Sequence, residues 1–111
     1  MKPGVKFAEA HKASARSILE GLIKLGLVTT DIETAMEHAL DRCFYPHGLG
    51  HYLGLYVHDV GQCHFPETDG VKSEIPHSQG IFSCTLEKNM FCTNEPGLYF
   101  IPLMMEKFKN D

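Results

Sequence analysis

The sequence predicts an α/β domain in which two helices are followed by antiparallel strands and a long loop, and three observations predict it. Apolar residues recur at steps of three and four up to about residue 42, they alternate further on near 53–57 and 91–101, and a polar stretch rich in glycine and proline lies between. The first helix runs from about residue 6 to 25, with Phe7, His11, Ala15, Ile18, Leu22 and Leu25 on one face. Gly26 supplies its stop, because glycine adopts the left-handed conformation that closes a helix. A second helix is expected over about 30–42, opened by Thr30 and Glu33 at capping-box spacing and carrying Ile32, Ala35, Met36, Ala39 and Leu40 as its apolar stripe. His11 and His38 read as ordinary helix residues.

After Cys43 the chain turns to aromatics, glycines and histidines. Pro46 disfavours helix at Tyr45, and Gly48 and Gly50 each cost a helix about 1 kcal/mol, so residues 47–51 read as an irregular turn or strand entry. Leu53, Leu55 and Val57 alternate as a strand would. Residues 59–80 contain Gly61, Pro66, Gly70 and Pro76 and read as a long loop of a length that suggests a site cover. Phe91, Thr93 and Glu95 share one face of a further strand, Pro96-Gly97 makes a turn, and Leu98-Tyr99-Phe100-Ile101 is expected to return as its partner.

Size and charge limit what such a chain does. At 111 residues it forms one domain at most, and a net charge of −4 with only 10 Lys plus Arg gives no footprint for nucleic acid or an anionic membrane. No apolar run approaches the roughly 20 residues of a membrane span, and Met1 to Val5 lack the apolar core of a signal peptide, so a cytoplasmic protein is expected. Cys43, Cys63, Cys84 and Cys92 form no closely spaced pair and read as small buried thiols rather than zinc ligands or disulfides.

The chemistry is concentrated in His47-Gly48-Leu49-Gly50-His51, Val57-His58-Asp59 and Thr93-Asn94-Glu95-Pro96-Gly97. Two imidazoles four residues apart, with glycines between, let the backbone pass close to an ion or a substrate. Glu95 ends an apolar strand just before a tight turn, where a carboxylate is costly unless paired or bound to a cation. His51 and Glu95 are therefore the candidate metal donors, with Glu95 also able to act as general base on a bound water. His58 is a candidate donor to the oxyanion formed when a peptide carbonyl is attacked.

Lys2-Pro3-Gly4, Tyr45-Pro46-His47-Gly48-Leu49-Gly50-His51-Tyr52-Leu53-Gly54, Val57-His58-Asp59-Val60-Gly61 and Thr93-Asn94-Glu95-Pro96-Gly97-Leu98-Tyr99-Phe100-Ile101 together resemble the catalytic domain of the prolidases. These Xaa-Pro dipeptidases group with aminopeptidase P and methionine aminopeptidase. The resemblance covers most of the chain in one order, and it implies that residues 1–111 form part of a pita-bread (creatinase/aminopeptidase) α/β domain. It further implies two ions, usually manganese although zinc or another divalent metal is compatible, holding a hydroxide that attacks the bond before proline in an Xaa-Pro dipeptide. In that scheme His51 resembles the histidine ligand and Glu95 a carboxylate ligand that also orients or deprotonates the nucleophile. His47 and His58 resemble the histidines that line the substrate pocket and steady the tetrahedral intermediate, and Asp59 a neighbour that orients His58.

The chain also departs from that pattern. Of five protein ligands implied for the ion pair, two aspartates would lie upstream of Met1 and a last glutamate downstream of Asp111, so two side chains from one edge are expected to hold metal weakly. Ile81-Phe82-Ser83-Cys84-Thr85 stands where the family carries arginines, one of which grips the substrate carboxylate, and Gln62-Cys63-His64 stands where a further glycine is expected. The alternative expectation is a catalytically inactive remnant that works by binding, as a homodimer or paired with a full-length relative.

Overall fold

The computed structural model describes residues 1–59 and 84–108. The long polar loop after Asp59, the Gln62-Cys63-His64 substitution and Ile81-Phe82-Ser83 lie outside the described residues. Two compact units divide the chain, the first made of Met1–His11 with Leu49–Glu95 and the second of Lys12–Gly48 with Pro96–Asp111.

Helix α1 spans Phe7–Lys24, within one residue of the expected bounds at each end. It stops as the glycine demands: Gly26 has φ +72°, its N–H donates to Ile23 O at 2.9 Å, and Leu27 N–H donates to Leu22 O at 2.9 Å. These two bonds satisfy carbonyls that the helix end would otherwise orphan. In the second unit Leu19 and Leu22 are fully buried and pack with Val28, Ala35, Cys43 and Phe44. Each such leucine contributes about 1.5–3 kcal/mol through removal from water. The face differs from the expected one at its end, where Leu25 is exposed because it lies past Lys24 in the turn, while Leu19 takes the central core position.

The expected second helix is two short ones, α2 (Ile32–Glu37) and α3 (Asp41–Phe44). Ala39 breaks it at φ +51°, with Ala39 N–H on Met36 O at 3.2 Å and Leu40 N–H on Ala35 O at 3.0 Å. This repeats the closing pattern of α1 with alanine in the glycine position, which periodicity alone does not reveal. The N-cap also differs from the Thr30/Glu33 box. Asp31 caps α2, its Oδ1 accepting from Glu33 N–H at 3.1 Å and Thr34 N–H at 3.0 Å. Arg16 Nη2 reaches Glu33 Oε1 at 2.7 Å and so ties α2 to α1. Helix α3 ends where Pro46 requires, with Tyr45 at φ −135° and ψ 72°.

No regular strand forms among the described residues, which corrects the expected strands at 53–57, 91–95 and 98–101. Two isolated antiparallel bridges stand instead, Lys6 with Thr85 and Tyr52 with Cys92. Residues 54–58 bend, with Gly54 N–H on Tyr56 O at 3.1 Å and Asp59 N–H returning to Tyr52 O at 3.1 Å. Leu55 is 99% exposed, so its alternation with Leu53 and Val57 serves no buried face. Leu98 to Ile101 run extended and exposed into α4 (Pro102–Phe108), a helix that the alternating pattern before it conceals. Met105 of α4 packs on the second unit's core.

The first unit closes around Phe7, Leu49 and Leu86, with Ala10, Tyr52, Met90 and Cys92 packed against them. Lys2-Pro3-Gly4 is a turn in which Gly4 takes φ +87° and donates to Leu86 O at 2.7 Å. Cys84 departs from the expectation of four thiols, since it is disulfide-bonded, whereas Cys43 and Cys92 are free. Burial pushes the Cys43 thiol up to about 11, which keeps it protonated and inert.

Candidate metal corner and histidines

Residues 49–53 and 91–95 run antiparallel in one register. Glu95 N–H donates to Leu49 O at 2.7 Å, Thr93 N–H to His51 O at 2.9 Å, and Leu53 N–H to Phe91 O at 3.2 Å. A regular ladder would return a bond from His51 N–H to the Thr93 carbonyl. Here that N–H goes to the Thr93 hydroxyl at 3.0 Å instead. The side-chain bond interrupts the ladder and accounts for an extended pair without a named strand.

Gly50 makes this approach possible. A Cβ there would run into the Thr93 carbonyl oxygen and stand 2.7 Å from its hydroxyl. The close passage expected of the glycines is thus a passage against Thr93. The sequence places Thr93 on the same face as Glu95, two residues before it, and carries no signal of its hydroxyl's role.

The register sets Glu95 diagonally across from His51, within reach of long side chains. His51 Nε2 lies 3.0 Å from Glu95 Oε1, and His51 Nδ1 lies 2.7 Å from Tyr52 O. A carbonyl oxygen only accepts, so Nδ1 carries a proton and a neutral ring turns its Nε2 lone pair toward the carboxylate. Two acceptors this close repel unless a proton or a cation joins them. Two donors at right angles, each about 2.1 Å from one ion, stand roughly 3.0 Å apart, so the pair fits two neighbouring ligands of a small divalent cation. The side chains are 23% and 53% exposed, too open for the contact to add much stability. Its value is chemical.

The His58 ring centroid lies 4.3 Å from that of His51 with the planes at 50°. His58 therefore lies beside the candidate ligand. The Asp59 carboxylate lies against Gly54, which has no side chain to oppose it. The first unit thus brings together His51, His58 and Glu95. Among the described residues no group of three or more His, Cys, Asp or Glu side chains is arranged to hold a metal ion.

His47 belongs to the second unit. Its Nδ1 lies 2.8 Å from Gly48 O and its Nε2 3.1 Å from the Tyr99 hydroxyl. The ring sits edge-on to Tyr45 at 5.0 Å and to Tyr99 at 5.4 Å.

Comparison with known proteins gives this geometry a family. The sequence matches metallopeptidase family M24 over residues 1–109. It is 37% identical over 113 aligned residues to an Xaa-Pro dipeptidase of Shewanella sp. (strain ANA-3) and 39% identical to that of Shewanella sediminis (strain HAW-EB3). Both alignments cover 100% of this chain and 26% of the relative. Among solved structures an aspartate-to-alanine variant of Escherichia coli aminopeptidase P is similar, with a TM-score of 0.71 and 35% identity over 91% of this chain and 20% of that one.

The chain is a member of metallopeptidase family M24. It is similar to the Xaa-Pro dipeptidases, of whose length it spans about a quarter, and its fold is part of the pita-bread fold of aminopeptidase P.

Proposed function

We propose that this chain carries the His51–Glu95 corner of a dinuclear site that hydrolyses Xaa-Pro dipeptides, with manganese as the metal. The observation that carries the reading is the 3.0 Å approach of His51 Nε2 to Glu95 Oε1 beside the His58 ring. The ions, when bound, supply Lewis-acid polarisation of the peptide carbonyl and a water acidic enough to deprotonate near neutral pH. The chain's own residues do the rest. His51, its Nδ1 proton committed to Tyr52 O, offers Nε2 as a ligand, and Glu95 offers a carboxylate that accepts a proton from the attacking water. His58 donates toward the oxygen on which negative charge develops, and His47 contacts the substrate.

The 111 residues hold two of the five ligands that the resemblance implies, so by themselves they are expected to retain metal weakly and to turn over no dipeptide. A second reading has its own support. Leu98, Tyr99, Phe100, Ile101 and Leu103 form an exposed apolar run in the second unit, which suits a binding or dimerisation role with a second copy or a longer relative. The test is to measure retained manganese, zinc and iron and to assay Xaa-Pro dipeptides with and without added manganese. Turnover by the chain, lost in His51→Ala, would overturn the expectation that it is inert alone. Manganese uptake that survives His51→Ala and Glu95→Gln unchanged would sink the assignment of the corner.

A further inference from the structure

We infer that Tyr99 is a positioning residue for His47, fixing the direction of its ring through a hydrogen bond to Nε2. The inference rests on the reading of His47 as a substrate-side residue, and it adds Tyr99 and Gly97 to the parts that make His47 work.

Three contacts converge on it. Gly48 O, 2.8 Å from Nδ1, can only accept, so Nδ1 holds a proton. In the neutral ring Nε2 is then an acceptor, and the Tyr99 hydroxyl at 3.1 Å donates to it. The Gly48 bond selects this tautomer, and the Tyr99 hydroxyl, which can donate or accept, follows it as donor. Tyr99 is itself held, because its N–H donates to Phe44 O at 2.7 Å, so the ring is carried on backbone anchored to the end of α3. Its edge-on contact with His47, at 72° between planes, is joined by one from Tyr45, whose ring is fully buried. An imidazole that touches a buried tyrosine and an anchored one loses rotamers it would otherwise adopt.

Gly97 provides the room. A Cβ at that position would meet Tyr99 Cε2 at 2.5 Å, the Tyr99 hydroxyl at 2.7 Å and His47 Nε2 at 2.9 Å, the three atoms that make the contact. The expected turn at Pro96-Gly97 does not form, and the glycine gives room instead. It lets Tyr99 reach His47.

The consequence is chemical. A substrate group that reaches His47 finds a ring whose direction is already set, with the phenol hydroxyl beside Nε2 as a further polar contact. Removing the hydroxyl leaves Nε2 without its donor, while Gly48 O keeps the proton on Nδ1.

The test is nitrogen-15 NMR of the 111-residue chain labelled at histidine, with His47→Gln used to assign the His47 signals. In the unaltered chain His47 is expected in the Nδ1–H form. In Tyr99→Phe, which keeps the aromatic packing, the Nε2 signal is expected to move toward that of an imine nitrogen accepting no hydrogen bond while the Nδ1–H form, the His51 signals and the far-UV circular dichroism stay unchanged. Gly97→Ala should move it the same way with the hydroxyl still present. An Nε2–H form in the unaltered chain, or an Nε2 signal unchanged in both variants, would overturn the inference. Because the Nε2 signal is read without metal or turnover, a shift in a protein that ignores manganese would spare this inference and count against the peptidase reading alone.

Discussion

At the scale of single residues, the candidate site depends on what small and hydroxyl side chains permit. Gly50 lies against the Thr93 backbone, and the Thr93 hydroxyl holds the His51 N–H, so the backbone that carries the His51 ring is placed by a threonine and a glycine. Gly50→Ala forces that backbone apart. It is expected to cost about 1–3 kcal/mol of stability, measured by urea unfolding, and to lengthen the His51–Glu95 approach. An alanine variant as stable as the parent would show that the two segments are not held together there. The sequence nominated His51, Glu95, His58 and His47 because imidazoles stand out beside glycines and a carboxylate stands out at the end of an apolar run. Thr93 and Tyr99 stayed hidden because their roles lie in hydrogen bonds across 42 and 52 positions, which no local pattern records.

At the scale of elements, helix periodicity and stop signals were readable where glycine marked them and misleading where it did not. Gly26 announced the end of α1, whereas Ala39 adopts the same left-handed conformation with a Cβ and no warning. Ala39→Gly relieves that strain and is expected to stabilise the α2–α3 junction by about 0.5–1 kcal/mol, seen as a higher midpoint in urea. A lower midpoint would mean that the alanine methyl packs favourably enough to outweigh its backbone strain. The cap of α2 makes a second prediction. The bonds from the Thr34 backbone and hydroxyl, then that from Glu33 N–H, hold the Asp31 carboxyl below its ordinary 3.8, and Arg16 holds Glu33 below 4.5. A carboxyl whose value is lowered by folding stabilises the fold above its unfolded value and loses that contribution as pH falls through the folded one. Helicity should therefore hold from neutrality to about pH 4.5 and decline below about pH 3.8, and Asp31→Ala should remove part of that acid dependence. An unchanged acid profile in Asp31→Ala would contradict the cap. The strands failed to appear for a different reason. Alternation at Leu53, Leu55 and Val57 promises a pleated surface only if a neighbouring chain segment takes up both sets of backbone groups, and Leu55 is almost wholly exposed.

At the scale of the whole molecule, family membership and function separate. The chain belongs to metallopeptidase family M24 and matches about a quarter of the length of the Xaa-Pro dipeptidases related to it, with two small cores, one in each unit. Among the described residues no helix is long and apolar enough to cross a membrane, yet Leu98 to Ile101 and Leu103 stand exposed. Such a run favours self-association, so sedimentation is expected to show species heavier than 12.4 kDa that increase with concentration, and Phe100→Ser should reduce them. A monomer at all concentrations would remove the support for a binding role.

The central claim is that His51 and Glu95 form one metal corner, and titration of the isotope-labelled chain with manganese tests it most directly. Paramagnetic broadening is predicted to begin at the signals of His51 and Glu95, with His58 next, and to be lost from that set in His51→Ala. Broadening that spares these residues, or that persists at Glu95 and His58 without His51, would contradict it.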